Sequence, residues 1–328
     1  MASSRKPPPA ERLADLLAFL KHHQLTGRHL LLGLSGGLDS RVLLHLLGQA
    51  RSHLDFKLSA MHINHGISSN AKAWADFCAD VCIRDEISFH AVTVNVPRDS
   101  GLGIEAAARV ERYAVLLEHP ADAVLLAHHQ DDQAETLLLQ LMRGAGVKGL
   151  AAMGSISHQP SAASGQRKAI LRPLLGVSRA QLQEYAEAND LQWIDDESNL
   201  DLSYDRNFLR HHIFPELEQR FPACRKTMAR SASHLAEAAE LLEEIAREDA
   251  VRAINEGRLY LAELRRLSAP RAGNLLRYWV TECSGLILSA ARMEDIRSQL
   301  LDARIDARVA INIGGRMLRR KRGIASIE

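Results

Sequence analysis

Ser35-Gly36-Gly37-Leu38-Asp39-Ser40 follows an apolar run, His29 to Leu34, and precedes a segment that spaces Val42, Leu43, Leu46 and Leu47 along one helical face. Adjacent glycines let the backbone turn tightly and approach a ligand closely, and a helix start directs N–H groups at an anion. Ser35, Asp39 and Ser40 come with it, which is more polar equipment than a helix cap needs. Phosphate binding is therefore expected at this loop. It lacks both the Gly-Lys-Ser/Thr of a Walker loop and the Gly-x-Gly-x-x-Gly of dinucleotide sites.

A second constellation is His128-His129-Gln130-Asp131-Asp132-Gln133-Ala134-Glu135-Thr136, after the short apolar run Ala123 to Ala127. Asp132 and Glu135 are three apart and share a helix face. Carboxylates there could hold Mg²⁺ beside nucleotide oxygens. Acids matching a helix dipole would explain Asp131 and Asp132 but not the histidine pair. A zinc site from His62, His65, His128 and His129 is a third reading, weakened by the surplus of acids. Glu105, Arg109 and Arg112 follow at helical spacings and read equally as a surface salt-bridge row. Arg206, Asn207 and Arg210 combine two guanidiniums with an amide, suited to phosphate or base-edge contacts, or to a solvated helix face.

These groups need a scaffold, and the first half of the chain supplies alternating units. Strands are expected at His29 to Leu34, Phe56 to Ile63, Phe89 to Val96 and Ala123 to Ala127, with helices from Asn70 to Ile87, Ile104 to Glu118 and Asp131 to Met142. Such repetition implies an α/β fold: a parallel sheet with helices on both faces and ligands beyond the carboxyl ends of the strands. Residues 144 to 168, rich in glycine, serine and glutamine, read as a mobile loop or lid. A strand Ala169 to Leu171 and a helix Arg179 to Asn189 follow. From Arg225 to Ile254 the pattern is a long helix, so the C-terminal domain is expected to be mainly helical.

The loop resembles that of the N-type ATP pyrophosphatases, whose signature is Ser-Gly-Gly-x-Asp-Ser after the first strand. Asn64-His65-Gly66, Glu105-Ala106-Ala107-Ala108-Arg109, the His128 to Thr136 block, Arg143-Gly144-Ala145-Gly146, Arg172-Pro173-Leu174-Leu175 and Asp205-Arg206-Asn207-Phe208-Leu209-Arg210 narrow the resemblance to the tRNA(Ile)-lysidine synthetase family. It is dense over residues 28–220 and weak beyond. What it implies is a Rossmann-like catalytic domain that activates the wobble cytidine of tRNA(Ile) with a CAU anticodon using ATP and Mg²⁺, then attaches free L-lysine. By the same resemblance, Asp39, Asp132, Glu135 and Arg109 would be catalytic, with Asp39 and Asp132 the candidates to hold Mg²⁺. Ser35, Gly36, Gly37, Leu38, Asp39, Ser40, His62 and His128 would bind ATP; Arg143, Arg206, Asn207, Arg210, Arg319 and Arg320 would bind tRNA. Which carboxylate serves metal and which serves lysine stays open, as does a homodimer. Longer family members carry a further C-terminal domain, whereas this chain ends soon after its basic run. Two other readings remain: a sulfur-inserting or amide-forming ATP pyrophosphatase, and an RNA-binding protein that responds to nucleotide without catalysis.

Composition agrees with a buried core in about two domains: 328 residues, 46% hydrophobic and 25% charged. The expected division is an N-terminal extension and helix over 1–27, a catalytic domain over 28–217 and a tRNA-binding domain over 218–328. Four cysteines without a Cys-x-x-Cys pair exclude a disulfide framework and fit a reduced cytoplasm. Cys78 and Cys82 share an apolar face with Trp74, Phe77 and Val81 and should be buried. Sulfur-inserting relatives use reactive or cluster-binding cysteines, and none here lies in the blocks above. The start, MASSRKPPPAER, has no apolar core of signal-peptide length, and no run of apolar residues suffices to span a membrane. The net charge of +1 hides a slightly acidic first part and a basic remainder ending in Arg316, Arg319, Arg320, Lys321 and Arg322, a pointer to polyanions.

Overall fold

The computed structural model describes residues 9–66, 68, 70–97, 103–160, 165, 167–302 and 309–328. The first eight residues, part of the expected lid and the side chain of Glu105 lie outside the described residues. The chain forms two compact units, one of Met1–Leu139 with Met153–Ala229, the other of Gln140–Ala152 with Arg230–Glu328.

The first unit contains α1 (Pro9–His22), β1 (His29–Gly33), α2 (Leu38–Ala50), β2 (Lys57–Asn64), α3 (Ala71–Arg84), β3 (Ser88–Thr93), α4 (Ile104–Glu118), β4 (Ala123–Leu125) and most of α5 (Gln130–Met142). After α6 (Val147–Leu150) of the second unit come β5 (Ile156–Pro160), β6 (Arg167–Leu171), α7 (Arg179–Ala188), α8 (Asp205–Phe208) and α9 (Phe214–Arg220). The sheet order is β3-β2-β1-β4-β6-β5, parallel except for β5. β1 is central, and Leu30, Leu31 and Leu32 are fully buried because both sheet faces are covered. Leu30 and Leu32 meet side chains of α1, α2, α3 and α7, whereas Leu31 meets Leu116 and Leu117 of α4. The period of two in a strand sends alternate leucines to opposite helical layers.

The expected lid is corrected. Residues 144 to 168 contain α6, and β5 pairs antiparallel with β6 as the sheet's edge hairpin, so much of this glycine- and serine-rich stretch is ordered by main-chain bonds. Cys78 and Cys82 are buried as expected, and burial pushes their thiols up to about 12 and about 11.

In the second unit, α10 (Cys224–Ala253) runs on from the first and is followed by β7 (Ile254–Asn255), β8 (Arg258–Tyr260), α11 (Leu261–Leu264), α12 (Ala269–Ser284) and α13 (Ala290–Leu301), then β9 (Val309–Ile313), β10 (Arg316–Lys321) and β11 (Ile324–Ile327). The helices match expectation; the antiparallel sheet β7-β8-β11-β10-β9 was not foreseen. Trp279, Leu275, Ile296 and Leu300 of its helices share a core with Leu259, Ile311, Ile313 and Leu318 of its strands. Among the described residues no helix is long and apolar enough to cross a membrane.

Candidate active site

β1 has β2 on one side and β4 on the other, so the chain leaves β1 in one direction and returns across it. This is the switch point of a doubly wound sheet, where the loops after two adjacent strands part and leave a crevice. The segments after β1 and β4 carry the two strongest constellations of the sequence.

The loop after β1 is braced from within. Gly37 N–H donates to Ser35 Oγ (3.3 Å), Ser40 Oγ donates to Gly37 O (3.0 Å), and the Ser35 and Ser40 hydroxyls are 3.0 Å apart. Gly36 adopts φ +87°, and a Cβ there would lie 2.8 Å from Ile194 Cδ1. Gly37 precedes α2, and among the described residues no side chain caps that helix, which leaves its start to an anion. A cavity of about 300 Å³ beside the loop is lined by Ser35, His62, Asn64, Trp74, Arg112 and Tyr204. His62 is buried, and its Nδ1 lies 3.0 Å from Leu34 O, fixing the ring against the end of β1.

After β4, His129 is buried between carboxylates. Its Nε2 is 3.5 Å from Asp39 Oδ2 and 3.6 Å from Asp132 Oδ2, while Nδ1 accepts the Asp131 N–H at 3.2 Å. That acceptance leaves Nε2–H facing both acids. Burial opposes charge on the ring, but the bond to Asp39 and the charges of Asp132, Asp39 and Asp131 outweigh it and raise its pKa. Burial also opposes ionisation of Asp39, yet the His129 bond and the charges of His129, Arg179 and Arg210 hold its carboxyl below the ordinary value. Glu135, fully buried, receives two bonds from Arg210, Nε at 2.8 Å and Nη2 at 3.0 Å. Burial nevertheless raises its carboxyl. Arg210 also lies 3.6 Å from Asp132 Oδ1. It sits in a π-turn, Leu209–Ile213, a widened coil common at functional sites.

Across the site the charge reverses. Arg109 Nη2 donates to the Tyr113 hydroxyl (3.1 Å) and its guanidinium stacks over the Tyr113 ring; Arg112 approaches the same ring. Arg172, 5% exposed, donates to Gly154 O and Ser157 Oγ. Burial, then the charges of Arg172, Arg112, Arg109 and Arg206, push the His128 pKa far down, so this ring is neutral.

The structure thus joins Asp39, Asp132 and Glu135, and places Arg109 and His128 in a neighbouring cationic group. The zinc reading fails: His62 faces a carbonyl, His128 faces guanidiniums and His129 faces acids, and among the described residues no three ligands converge. Several residues expected at tRNA are turned inward. Arg210 belongs to the acidic cluster, and Asn207 is buried, donating to Asp201 O at 2.9 Å. Arg206 Nη2 reaches Thr136 Oγ1 (3.2 Å). Arg320 is buried, 6% exposed, and donates to Leu300 O at the end of α13 (2.9 Å), where helix carbonyls favour a cation. Arg143, Arg319, Lys321 and Arg322 are exposed. The alternation of a strand separates Arg319 from Arg320. Sequence reasoning named His129 only in the zinc reading and Arg172 only within a motif block, and gave no part to Arg225. The last donates to Glu218 (2.6 Å), approaches Asp131 (3.5 Å) and stacks on Phe214. The doubled histidine was the available signal for His129; nothing local marks Arg225.

Residues 10–217 match the PP-loop domain family, and residues 259–325 match the TilS substrate binding domain. The chain is 43% identical to a tRNA(Ile)-lysidine synthase of Nitrosomonas europaea over 92% of its own length and 65% of the relative. It is 41% identical to that of Actinobacillus pleuropneumoniae over 94% of its length and 72% of the relative. It spans somewhat less than two thirds of the Nitrosomonas and Ralstonia nicotianae relatives. A U34-tRNA thiolase from Methanococcus maripaludis, 21% identical, shares the fold, with a TM-score of 0.58 covering 70% of this chain and 79% of that one.

Proposed function

The chain belongs to the tRNA(Ile)-lysidine synthase family of PP-loop proteins, and on that premise we propose that it attaches L-lysine to the wobble cytidine of tRNA(Ile) with a CAU anticodon. The cytosine O2 attacks the α-phosphorus of ATP and releases pyrophosphate; the ε-amine of lysine then adds at C2 and displaces AMP. The observation that carries this reading is the convergence of Asp39 and Asp132 on His129 beside an uncapped helix start.

In the first step the amides of Gly36 and Gly37, the hydroxyls of Ser35 and Ser40 and the start of α2 hold the phosphates, while the cavity bearing Trp74 and Tyr204 takes the base. Asp39 fits Mg²⁺: its Oδ1 is buried without a hydrogen-bond partner among the described residues. Bound there, the ion would supply positive charge to the phosphates, and one or two carboxylates suffice for it. The second step needs a neutral amine, although free lysine has a side-chain pKa of about 10.4. Glu135 is engaged by Arg210, so Asp132 is the carboxylate that receives the ammonium and takes its proton. Arg143, Arg319, Lys321 and Arg322 meet tRNA phosphates. Such substrates imply a cytoplasmic protein.

The test is incubation with ATP, labelled lysine and unmodified tRNA(Ile). Label should enter the tRNA only with ATP present. AMP formation without lysine incorporation, or dependence on a sulfur donor, refutes the proposal.

A further inference from the structure

Neither step above assigns a contact to the guanidiniums beside the acids, although Arg112 also lines the cavity given to the base. We infer that Arg109, Arg112 and Arg172 form a pocket for the α-carboxylate of the amino-acid substrate, beside the acids that meet its ε-amine. This rests on the reading that free lysine is the substrate.

Arg112 Nε, Arg172 Nε and His128 Nδ1 are buried and have no hydrogen-bond partner among the described residues. Buried donors of this kind are normally satisfied, and a charged one is the most costly to leave unmet. The Tyr113 hydroxyl accepts from Arg109 and also interacts with Arg172, so one phenol oxygen is all that these guanidiniums share. The charges acting most strongly on His128 are all guanidiniums, and they keep it from adding a further positive charge. A small anion is what completes such a group.

Three anions reach this site. The phosphates of ATP already have the glycine loop and the start of α2. An RNA phosphodiester carries a ribose on each side and cannot follow into a pocket whose Arg172 is 5% exposed. The carboxylate of a free amino acid ends a slender chain and can. Asp132 acts electrostatically on Arg112, and Arg206 acts on both Arg112 and Glu135, so the two charge groups are neighbours. Lysine, positive at one end and negative at the other, matches that pair.

The experiment compares lysine with cadaverine, which lacks the carboxylate, and lysinamide, which neutralises it. In the wild type, KM for both analogues should exceed that for lysine roughly 10- to 100-fold, the scale of a charge-assisted bond. Arg112→Gln should raise KM for lysine by a similar factor and leave KM for cadaverine unchanged, and Arg112→Lys should restore part of the difference. Should Arg112→Gln not fold, the wild-type series decides alone. Equal use of cadaverine and lysine by the wild type overturns the inference. So does a variant that raises both KM values equally, or one that weakens tRNA binding or pyrophosphate release while lysine KM stays constant. A wild type that incorporates no lysine overturns the underlying reading as well.

Discussion

Replacing Gly36 with alanine tests the geometry of the loop quantitatively. Gly36 has φ +87°, and the new Cβ would lie 2.8 Å from Ile194 Cδ1 and 3.0 Å from Cys78 Sγ. A left-handed backbone costs a residue with a Cβ about 1 to 2 kcal/mol, and overpacking of this kind costs about 1 to 3 kcal/mol. Ile194 cannot retreat freely, because its N–H donates to Gly36 O at 2.9 Å. The loss in unfolding free energy should be about 2 to 5 kcal/mol, read from urea titration followed by circular dichroism. Ile194→Val removes the methyl that the added Cβ would strike, and by itself costs about 0.5 to 1.5 kcal/mol. In the double variant that cost should be offset by relief of the overlap, so the combined loss falls short of the sum by about 1 kcal/mol or more. Pyrophosphate release should drop in Gly36→Ala and recover in part in the double variant. Additive losses, within about 0.5 kcal/mol, would refute the packing argument.

Glu135→Gln leaves Arg210 with half of its bidentate partner gone and should cost about 3 kcal/mol of stability by urea titration; a loss below about 1 kcal/mol would mean the pair is not internal. Asp132→Asn should stop lysine incorporation while adenylated tRNA still accumulates, and normal incorporation would remove Asp132 from the site. Changing Arg319, Lys321 and Arg322 together to Gln should flatten the slope of log tRNA affinity against log salt by about two units at unchanged saturated turnover. Arg320→Gln should instead lower stability by about 1 to 3 kcal/mol and leave that slope alone; the opposite assignment of effects would place Arg320 on the surface. His119 sits against His29 and His90, and burial together with those rings, Lys168 and Lys57 lowers its pKa from 6.5 to about 4. As pH falls through that interval the unfolded chain takes a proton that the native ring refuses, so stability declines. His119→Asn should make the melting temperature fall less steeply from pH 6.5 to 4; an unchanged slope refutes the assignment.

The sequence alone determined the local pieces. Leu30 to Leu32 had to be a strand buried on both faces, Ser35 to Ser40 had to be a turn that admits an anion, and Asp132 and Glu135 had to share a helix face, because each follows from backbone sterics and periodicity over a few residues. The antiparallel sheet of the second unit was less visible. Val309, Ile311 and Ile313 do alternate, but in Arg316–Lys321 an inward arginine breaks the polar-out pattern, and only the carbonyls at the end of α13 make Arg320 tolerable there. Tertiary structure decided the allocation of charge. His128 and His129 are adjacent and chemically identical, yet one faces guanidiniums and the other carboxylates. Arg206, Asn207 and Arg210 looked alike as RNA contacts, yet Arg210 is drawn onto a glutamate 75 residues earlier. A side chain's partners depend on which strands the sheet brings together, and the crossing of the chain over β1 is a property of the whole fold that no window of sequence contains.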